Sequence, residues 1–543
     1  MIAWDSALRL LLAAAPLVPF LLALAGSIGA VRRRLPDLLP FAPLPALLAA
    51  LLVPDGVAIV SPDPLRLTMV MEKPGALLLG ASALLWCAAG IFARGYFGWD
   101  QRLRVLSIWW LLTMSGSLGV FLVGDLASFY LAFALASLAA WGLAADEDSR
   151  EGRRAGRVYL VLTLLGEACL LFAFVMLAAD GPVANPLIRE AVLAVPDSAG
   201  KTMIVLLLLL GFGLKIGLVP LHVWMPLVYA AAPAPGAAVL SGIVVKAGVI
   251  GLIRFLPFDD GLRIWGDVLV VAGLLSAYYG VGMGLTQKGA RTVLAYSSVS
   301  QMGVVATLVG AALSSADATG PLLTAYYAAN HVLLKGAMFL AVGMLDRAGP
   351  RQRSRVLGVA TLLGLSLAGL PFTGGALAKY AIKGQLGDGI LAFLVTLSAA
   401  GTTALMLHFV ACLKAQEPPV PMRLLSDRMR VSFLVLSALA LVLPYTLFAA
   451  VTGLSLTAVF SPQALAKAAW PVLLGAALAF AVSRTVLPVV PPGDVLVPME
   501  RLGSRLAPAG RVLDELDAAL SRWPAAGLLL VTIALSLGLL FAR

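Results

Sequence analysis

Charge is the scarcest commodity in this chain. Only 12% of its 543 residues are Asp, Glu, Lys or Arg, about half the share usual in a soluble globular domain. The deficit runs along the whole length, which excludes a soluble globular enzyme, a disordered scaffold and a secreted disulfide protein. Cysteine is nearly absent. Cys87, Cys169 and Cys412 lie far apart, each inside an apolar run, so neither a disulfide framework nor a local metal knuckle is expected, and the three read as small apolar fillers. Histidine occurs three times, at His222, His331 and His408, with no His-Glu-x-x-His pattern. We therefore expect no metal site. No motif for a flavin, haem, iron–sulfur cluster or nucleotide is recognisable, so no cofactor is expected. An intramembrane enzyme is disfavoured, because no nucleophile–base pair appears.

What is present is apolar length. Hydrophobic residues make up 61% of the chain and the mean hydropathy is +0.97. A spanning helix needs about 20 mostly apolar residues. Sixteen such runs can be read, near 7–30, 38–60, 75–94, 106–123, 126–144, 158–178, 203–223, 236–256, 266–285, 297–313, 322–344, 356–383, 388–413, 431–453, 467–487 and 525–541. The first is long and is followed, not preceded, by Arg32-Arg33-Arg34, so it reads as a retained span rather than a cleaved leader. The expected fold is an all-α polytopic membrane protein.

The formal net charge of +11 has a topological explanation. Loops after odd-numbered spans carry 24 Lys and Arg, whereas loops after even-numbered spans and the tail carry 8. By the positive-inside rule both termini then face the periplasm of a bacterial inner membrane. No nucleic-acid partner is needed to explain the balance. Arg9, Arg254 and Arg484 sit near span ends, where their heads can reach polar surroundings.

Four lysines remain: Lys215, Lys246, Lys335 and Lys379, each inside an apolar run. An ionisable residue at membrane depth costs about 2.5–3.5 kcal/mol on insertion scales and marks a functional site by default. The one clear carboxylate in mid-span is Glu167, in span 6, with Asp125 at a span end, so four ion pairs cannot be drawn. An ammonium taken out of water exchanges its proton more readily, and a file of such groups can pass protons stepwise. Structural pairing or lipid-headgroup contact is the alternative. His331 and Lys335 lie four apart in span 11, on one helix face. His222 is a candidate channel mouth. His408 in span 13 is a relay exit or a packing contact.

Two of these lysines stand beside interruptions. Lys215 precedes Pro220 in Lys215-Ile-Gly-Leu-Val-Pro220-Leu-His222, and Lys379 follows Pro371 in Gly369-Leu-Pro371-Phe-Thr-Gly-Gly375-Ala-Leu-Ala-Lys379. Proline removes a helical hydrogen bond, and Gly/Pro-interrupted spans at matching places in two halves point to a transporter built from repeats. Spans 7 and 12 are five apart. The chain therefore divides into N-terminal helices (1–105), a first five-helix repeat (106–265), a second (266–413) and a C-terminal part (414–543). Within the last, Leu502, Leu506, Ala509, Leu513, Leu516 and Leu520 recur at helical spacing with charges between, an amphipathic pattern that Pro508 and Gly510 interrupt.

The stretches Lys215–Phe255, with Pro220-Leu-His-Val-Trp-Met-Pro226 and Val-Val-Lys246-Ala-Gly, then Leu294-Ala-Tyr-Ser-Ser-Val-Ser-Gln-Met-Gly303, Asn330–Lys335 and Gly369–Lys379, resemble the signature segments of the antiporter-like membrane subunits. These occur in respiratory complex I, hydrogenase-4-type and other membrane-bound hydrogenases, and Mrp-type cation/proton antiporters. The likeness covers spans 4–13, with hydrogenase-4-like subunits nearest in character. It implies two inverted half-channels joined by a polar axis. In it Lys215 is the lysine of the first broken helix, Lys246 the connecting lysine, His331 and Lys335 lie on the axis, and Lys379 is the terminal lysine. It also implies membrane partner subunits, and protons or Na⁺ as the ion carried. Two positions depart from the pattern: Ala134 stands where the family places a span-5 glutamate, and Gly289 where many relatives carry aspartate. Glu167 is a candidate substitute for the first. The resemblance implies a proton-translocating subunit of a larger, redox-driven complex; the alternative is a membrane partner in an inorganic-carbon uptake system or hydrogenase module with modified or no pumping. The amphipathic stretch resembles a shortened lateral helix that straps neighbouring subunits, or else lies on lipid.

Overall fold

The computed structural model describes residues 2–62, 66–98, 100–144, 149–179, 185–259, 262–416, 425–485, 487–488 and 490–493. The sixteenth expected span and the amphipathic stretch from 494 onward lie outside the described residues. Among those described, the protein is a multi-pass, mostly helical bundle. Eleven helices are long and apolar enough to cross a membrane.

The second expected span, 38–60, is not one crossing helix. Pro36, Pro40, Pro43 and Pro45 divide it into short helices, Leu35–Leu38 and Leu44–Leu52. Nine residues rise only about 14 Å. The chain then enters a strand, Ala58–Val60, paired antiparallel with Thr68–Val70. Sequence periodicity misses this hairpin because its apolar residues extend the preceding run.

Two side-chain hubs hold the hairpin end of the bundle. Asp125 is fully buried. Its carboxylate accepts from the amides of Thr68 (2.6 Å) and Ser128 (2.9 Å) and from Asn185 Nδ2 (2.9 Å), so it caps the helix Leu126–Ala139 and ties it to the hairpin. Arg254, at the end of span 8, donates to Glu72 (2.9 Å) and to the carbonyls of Val120 (3.1 Å), Phe121 (2.8 Å) and Val123 (2.7 Å). The orphan carbonyls where span 4 ends are thereby satisfied.

Spans 7 and 12 are broken in the same manner, and the break is made by glycine rather than proline. The helix Lys201–Ile216 ends at Gly217 with φ +72°, and Pro350–Ala368 ends at Gly369 with φ +95°. In each, the amide one residue beyond the glycine bonds back five residues: Leu218 to Gly213 O and Leu370 to Leu365 O, both 2.9 Å. This paired left-handed ending closes the last turn and satisfies carbonyls that would otherwise be stranded. Pro220 and Pro371 follow, where they prevent the helix from resuming at once. Each span continues in an eight-residue helix, Trp224–Ala231 and Gly374–Ala381.

Both glycines are conformationally required, because an L side chain is strained at these φ values. We expect Gly217→Ala and Gly369→Ala each to destabilise the protein by about 1–2 kcal/mol, read as a lower thermal unfolding midpoint in detergent. Gly384→Ala meets nothing within 4 Å and should leave the midpoint unchanged.

Candidate functional site: a buried row of amines

Each candidate lysine is buried or cavity-lining, and each has a defined acceptor. Lys215 sits in the last turn before the Gly217 break. Its Nζ donates to Ser137 Oγ at 2.7 Å and lies 5.2 Å from the Phe133 ring centre. Ser137 is one turn along span 5 from Ala134, so the side expected to lack polar groups offers a hydroxyl. Glu167 reaches the same place from span 6. Together with Ser137, Lys215, Tyr159 and Trp224 it lines a small cavity of about 250 Å³. Both Glu167 oxygens are buried without a protein hydrogen-bond partner, and the carboxylate and the Lys215 ammonium lie within each other's electrostatic reach.

Lys246 is fully buried at the centre. A π-helical stretch, Leu240–Val244, immediately precedes it. Such widened turns free backbone groups, and Lys246 Nζ lies 3.2 Å from the Ser241 carbonyl. Its second contact is His331 Nδ1, at 2.7 Å. At that distance one N–H lies between the two nitrogens: the Lys246 amino group donates to Nδ1, or a ring protonated on Nδ1 donates to the amine. His331 Nε2 is buried without a protein partner. One turn on, Lys335 Nζ donates to Leu294 O at 2.7 Å, and its charge and that of Lys246 both act on His331.

Lys379 lies just beyond the second break. Its Nζ donates to Ala368 O at 2.6 Å, the last carbonyl of the helix that Gly369 ends. It is partly exposed, to a chamber that Lys383 and Lys467 also line.

The remaining histidines fall elsewhere. His222, expected at a channel mouth, is fully buried, with its ring 5.0 Å from that of Tyr279 and 6.2 Å from that of Tyr296. His408 Nε2 stands 2.7 Å from the backbone carbonyl of Gln287, with Cys412 Sγ 3.6 Å away, a contact that fastens span 13 to the loop after span 9. Among the described residues no cluster of His, Cys, Asp and Glu could hold a metal ion.

Reading the sequence for charges misses the hydroxyl and amide members of this row: Ser137, Ser241, Gln301, Tyr327 and Thr402. Their only sequence signal is polarity inside an apolar run, and serine and threonine there commonly just bond back to their own helix, as Ser137 does to Phe133 O at 2.7 Å.

The family model described as NADH:quinone oxidoreductase/Mrp antiporter, TM, matches residues 123–407. Subunit N of the NADH-quinone oxidoreductase of Deinococcus radiodurans is 32% identical over 327 residues, covering 56% of this chain and 65% of that protein. Hydrogenase-4 component B of Escherichia coli is 27% identical over 292 residues, covering 51% and 43%. The chain thus spans about half the length of the curated relatives it matches. A chain in the solved structure of the Mrp complex from a Dietzia species superposes with a TM-score of 0.73 at 21% identity, over 99% of this chain and 63% of the other, a likeness of fold.

The Lys246–His331 contact carries a stability prediction. Removing one partner strands the other in an apolar interior, whereas removing both does not. His331→Leu should therefore lower the thermal midpoint, by about 1–3 kcal/mol, and Lys246→Met combined with His331→Leu should recover most of it.

Proposed function

Because the chain belongs to the NADH:quinone oxidoreductase/Mrp antiporter family, we propose that it carries protons, or exchanges a cation for protons, as one membrane subunit of a larger, redox-driven complex. The observation that carries this reading is the row of buried amines, Lys215, Lys246 with His331, Lys335 and Lys379, in which the end members flank helices broken in the same way. A static structural role would be served by fewer charges, each with a counter-ion. Here one carboxylate, Glu167, accompanies four lysines.

The two breaks define two five-span units, 106–265 and 266–413, arranged as inverted repeats about the central Lys246–His331 contact. Lys215 begins the row in the first unit, and Lys379 ends it at its chamber in the second. Protonation of one amine raises the cost of protonating the next, so a proton admitted at one end displaces another further along. The break beside each end lysine provides backbone that water can solvate as the site loads and empties. Glu167 takes the part of the carboxylate missing at Ala134: it stabilises the charged form of Lys215 and releases it when it is itself protonated. His331 mediates between Lys246 and Lys335. His408 is a packing contact. The sixteen-span arrangement sets both termini on the periplasmic side of a bacterial inner membrane, with other membrane subunits and lipid as neighbours. Electrons, where they drive the complex, travel in those other subunits.

A second reading, a membrane partner of a carbon-uptake or hydrogenase module without full pumping, draws on Ala134. The carboxylate of Glu167 beside Lys215 argues against it, since the charge pair it requires to be missing has a substitute one helix away.

We expect Lys215→Ala and Lys379→Ala to abolish ion-coupled transport in vesicles while the protein still assembles with its partners; normal proton flux in both would refute the row as a conducting path. Glu167→Gln should slow transport about tenfold or more and change its pH dependence. Adding Ala134→Glu to Glu167→Gln should restore part of the rate, because position 134 lies one turn from Ser137, the hydroxyl that Lys215 already contacts. Unchanged pH dependence in Glu167→Gln would make Glu167 structural.

A further inference from the structure

Among the described residues, the chamber that Lys379 faces is lined by one amide side chain, Gln301. Its two ends are held by two other helices. Tyr327 OH donates to Gln301 Oε1 at 2.6 Å, Gln301 Nε2 donates to Thr402 Oγ1 at 3.1 Å, and Thr402 Oγ1 donates to Ser398 O at 3.0 Å. Tyr327, Gln301, Thr402 and Ser398 are all buried and all line the chamber that Lys379 lines. On the axis side, Tyr327 lies one turn before His331 on span 11 and Gln301 one turn after Ser297 on span 10, adjacent positions on their helix faces. The hydrogen-bonded chain thus lies in the wall of the Lys379 chamber, one helical turn from the positions of His331 and Ser297.

Its chemistry is that of a break rather than a wire. A proton hops along a hydrogen-bonded chain when each member accepts on an atom from which it can also donate, as hydroxyls and water do. An amide accepts on oxygen and donates from nitrogen. A proton delivered to Oε1 cannot leave from Nε2 without passing through the imidic acid form. Turning the amide over exchanges its ends and leaves this property intact. The chain also terminates at the Ser398 carbonyl, which takes the last hydrogen bond and passes nothing on.

We propose that Gln301, clamped between Tyr327 and Thr402, is a proton-insulating gate between the central axis and the Lys379 chamber. In the clamped state the two regions are separated. When the amide swings out of its two hydrogen bonds, water bridges His331 to Lys379 and a proton crosses. This deepens the reading of the amine row as a proton path and rests on it. Gln301 is a positioning residue here: it carries no proton and decides when one passes. A glutamine that only held helices together would make the same two bonds, but replacing its amide by a proton-relaying group of the same shape would not change proton entry.

That distinction supplies the test. A carboxyl group can take a proton on one oxygen and release it from the other, so Gln301→Glu keeps the length and shape while turning the break into a relay. Gln301→Met keeps the length, supplies no relay and fills the position with an apolar side chain that offers bridging water no partner. Vesicles carrying the full chain with its native partner subunits are loaded with a pH-sensitive dye, given potassium and valinomycin to clamp the potential, and subjected to an acid step with no energy source. Gln301→Glu should raise passive proton entry about tenfold over wild type, and Gln301→Met should not raise it. Tyr327→Phe, which removes a single hydroxyl and one of the two clamping bonds, should also raise it, by up to about fivefold for the loss of roughly 1 kcal/mol. Equal entry in wild type and Gln301→Glu, or an equal rise in Gln301→Glu and Gln301→Met, overturns the gate; unchanged entry in Tyr327→Phe does so if the glutamate variant does not assemble. The underlying reading fails separately. Normal coupled transport in Lys379→Ala would remove the amine row as the path, whereas a failed gate leaves the Lys379→Ala result as it was.

Discussion

The requirement that every ammonium and every freed backbone group in an apolar interior find an oxygen or nitrogen partner is the constraint from which the rest of this structure follows. Burial without a partner costs several kcal/mol per group. Each of the four lysines meets the requirement differently. Lys215 uses a serine hydroxyl, Lys246 an imidazole and a carbonyl, Lys335 a carbonyl, and Lys379 the last carbonyl of a terminated helix. None is locked in a close ion pair. A lysine bonded to a neutral acceptor can lose its proton without leaving a counter-charge stranded, which is what a carrier of protons needs and a structural ion pair does not.

The helix breaks obey the same constraint. An interrupted span exposes carbonyls at membrane depth, and here a left-handed glycine turns the chain so that the following amide returns to them. The identical construction at Gly217 and Gly369 places an end lysine beside each break: Lys215 in the turn before the first, Lys379 on the short helix after the second. The donor that satisfies Ala368 O is Lys379 itself. The backbone problem and the functional group thus resolve each other at that end, while at the other Ser137 and Glu167, from two neighbouring helices, surround the amine.

Most of the architecture is legible in the sequence because membrane helices announce themselves by length and composition. Eleven of the apolar runs coincide with helices long and apolar enough to cross a membrane among the described residues, and the four mid-run lysines stand out because so little else is charged. The reading fails where local composition and backbone course diverge. Residues 38–60 are apolar enough to span, yet four prolines and a β-hairpin prevent it. Pro220 and Pro371 look like the agents of the breaks, yet the glycines ahead of them end the helices. His222 follows a break in sequence, yet lies buried beside Tyr279 and Tyr296 of later spans.

By itself the sequence determined that this is a polytopic membrane protein, which of its charges lie inside, and that spans 7 and 12 are interrupted, since each is a property of a single segment and its solvent. Only the tertiary structure decided which groups meet. That Glu167 lines the same small cavity as Lys215, that Lys246 Nζ meets His331 Nδ1, and that Gln301 is held between Tyr327 and Thr402 all depend on side chains from different helices. Helix packing, not local pattern, sets those distances, because neutral polar residues inside an apolar run satisfy themselves equally well on their own helix until a neighbour is brought within reach.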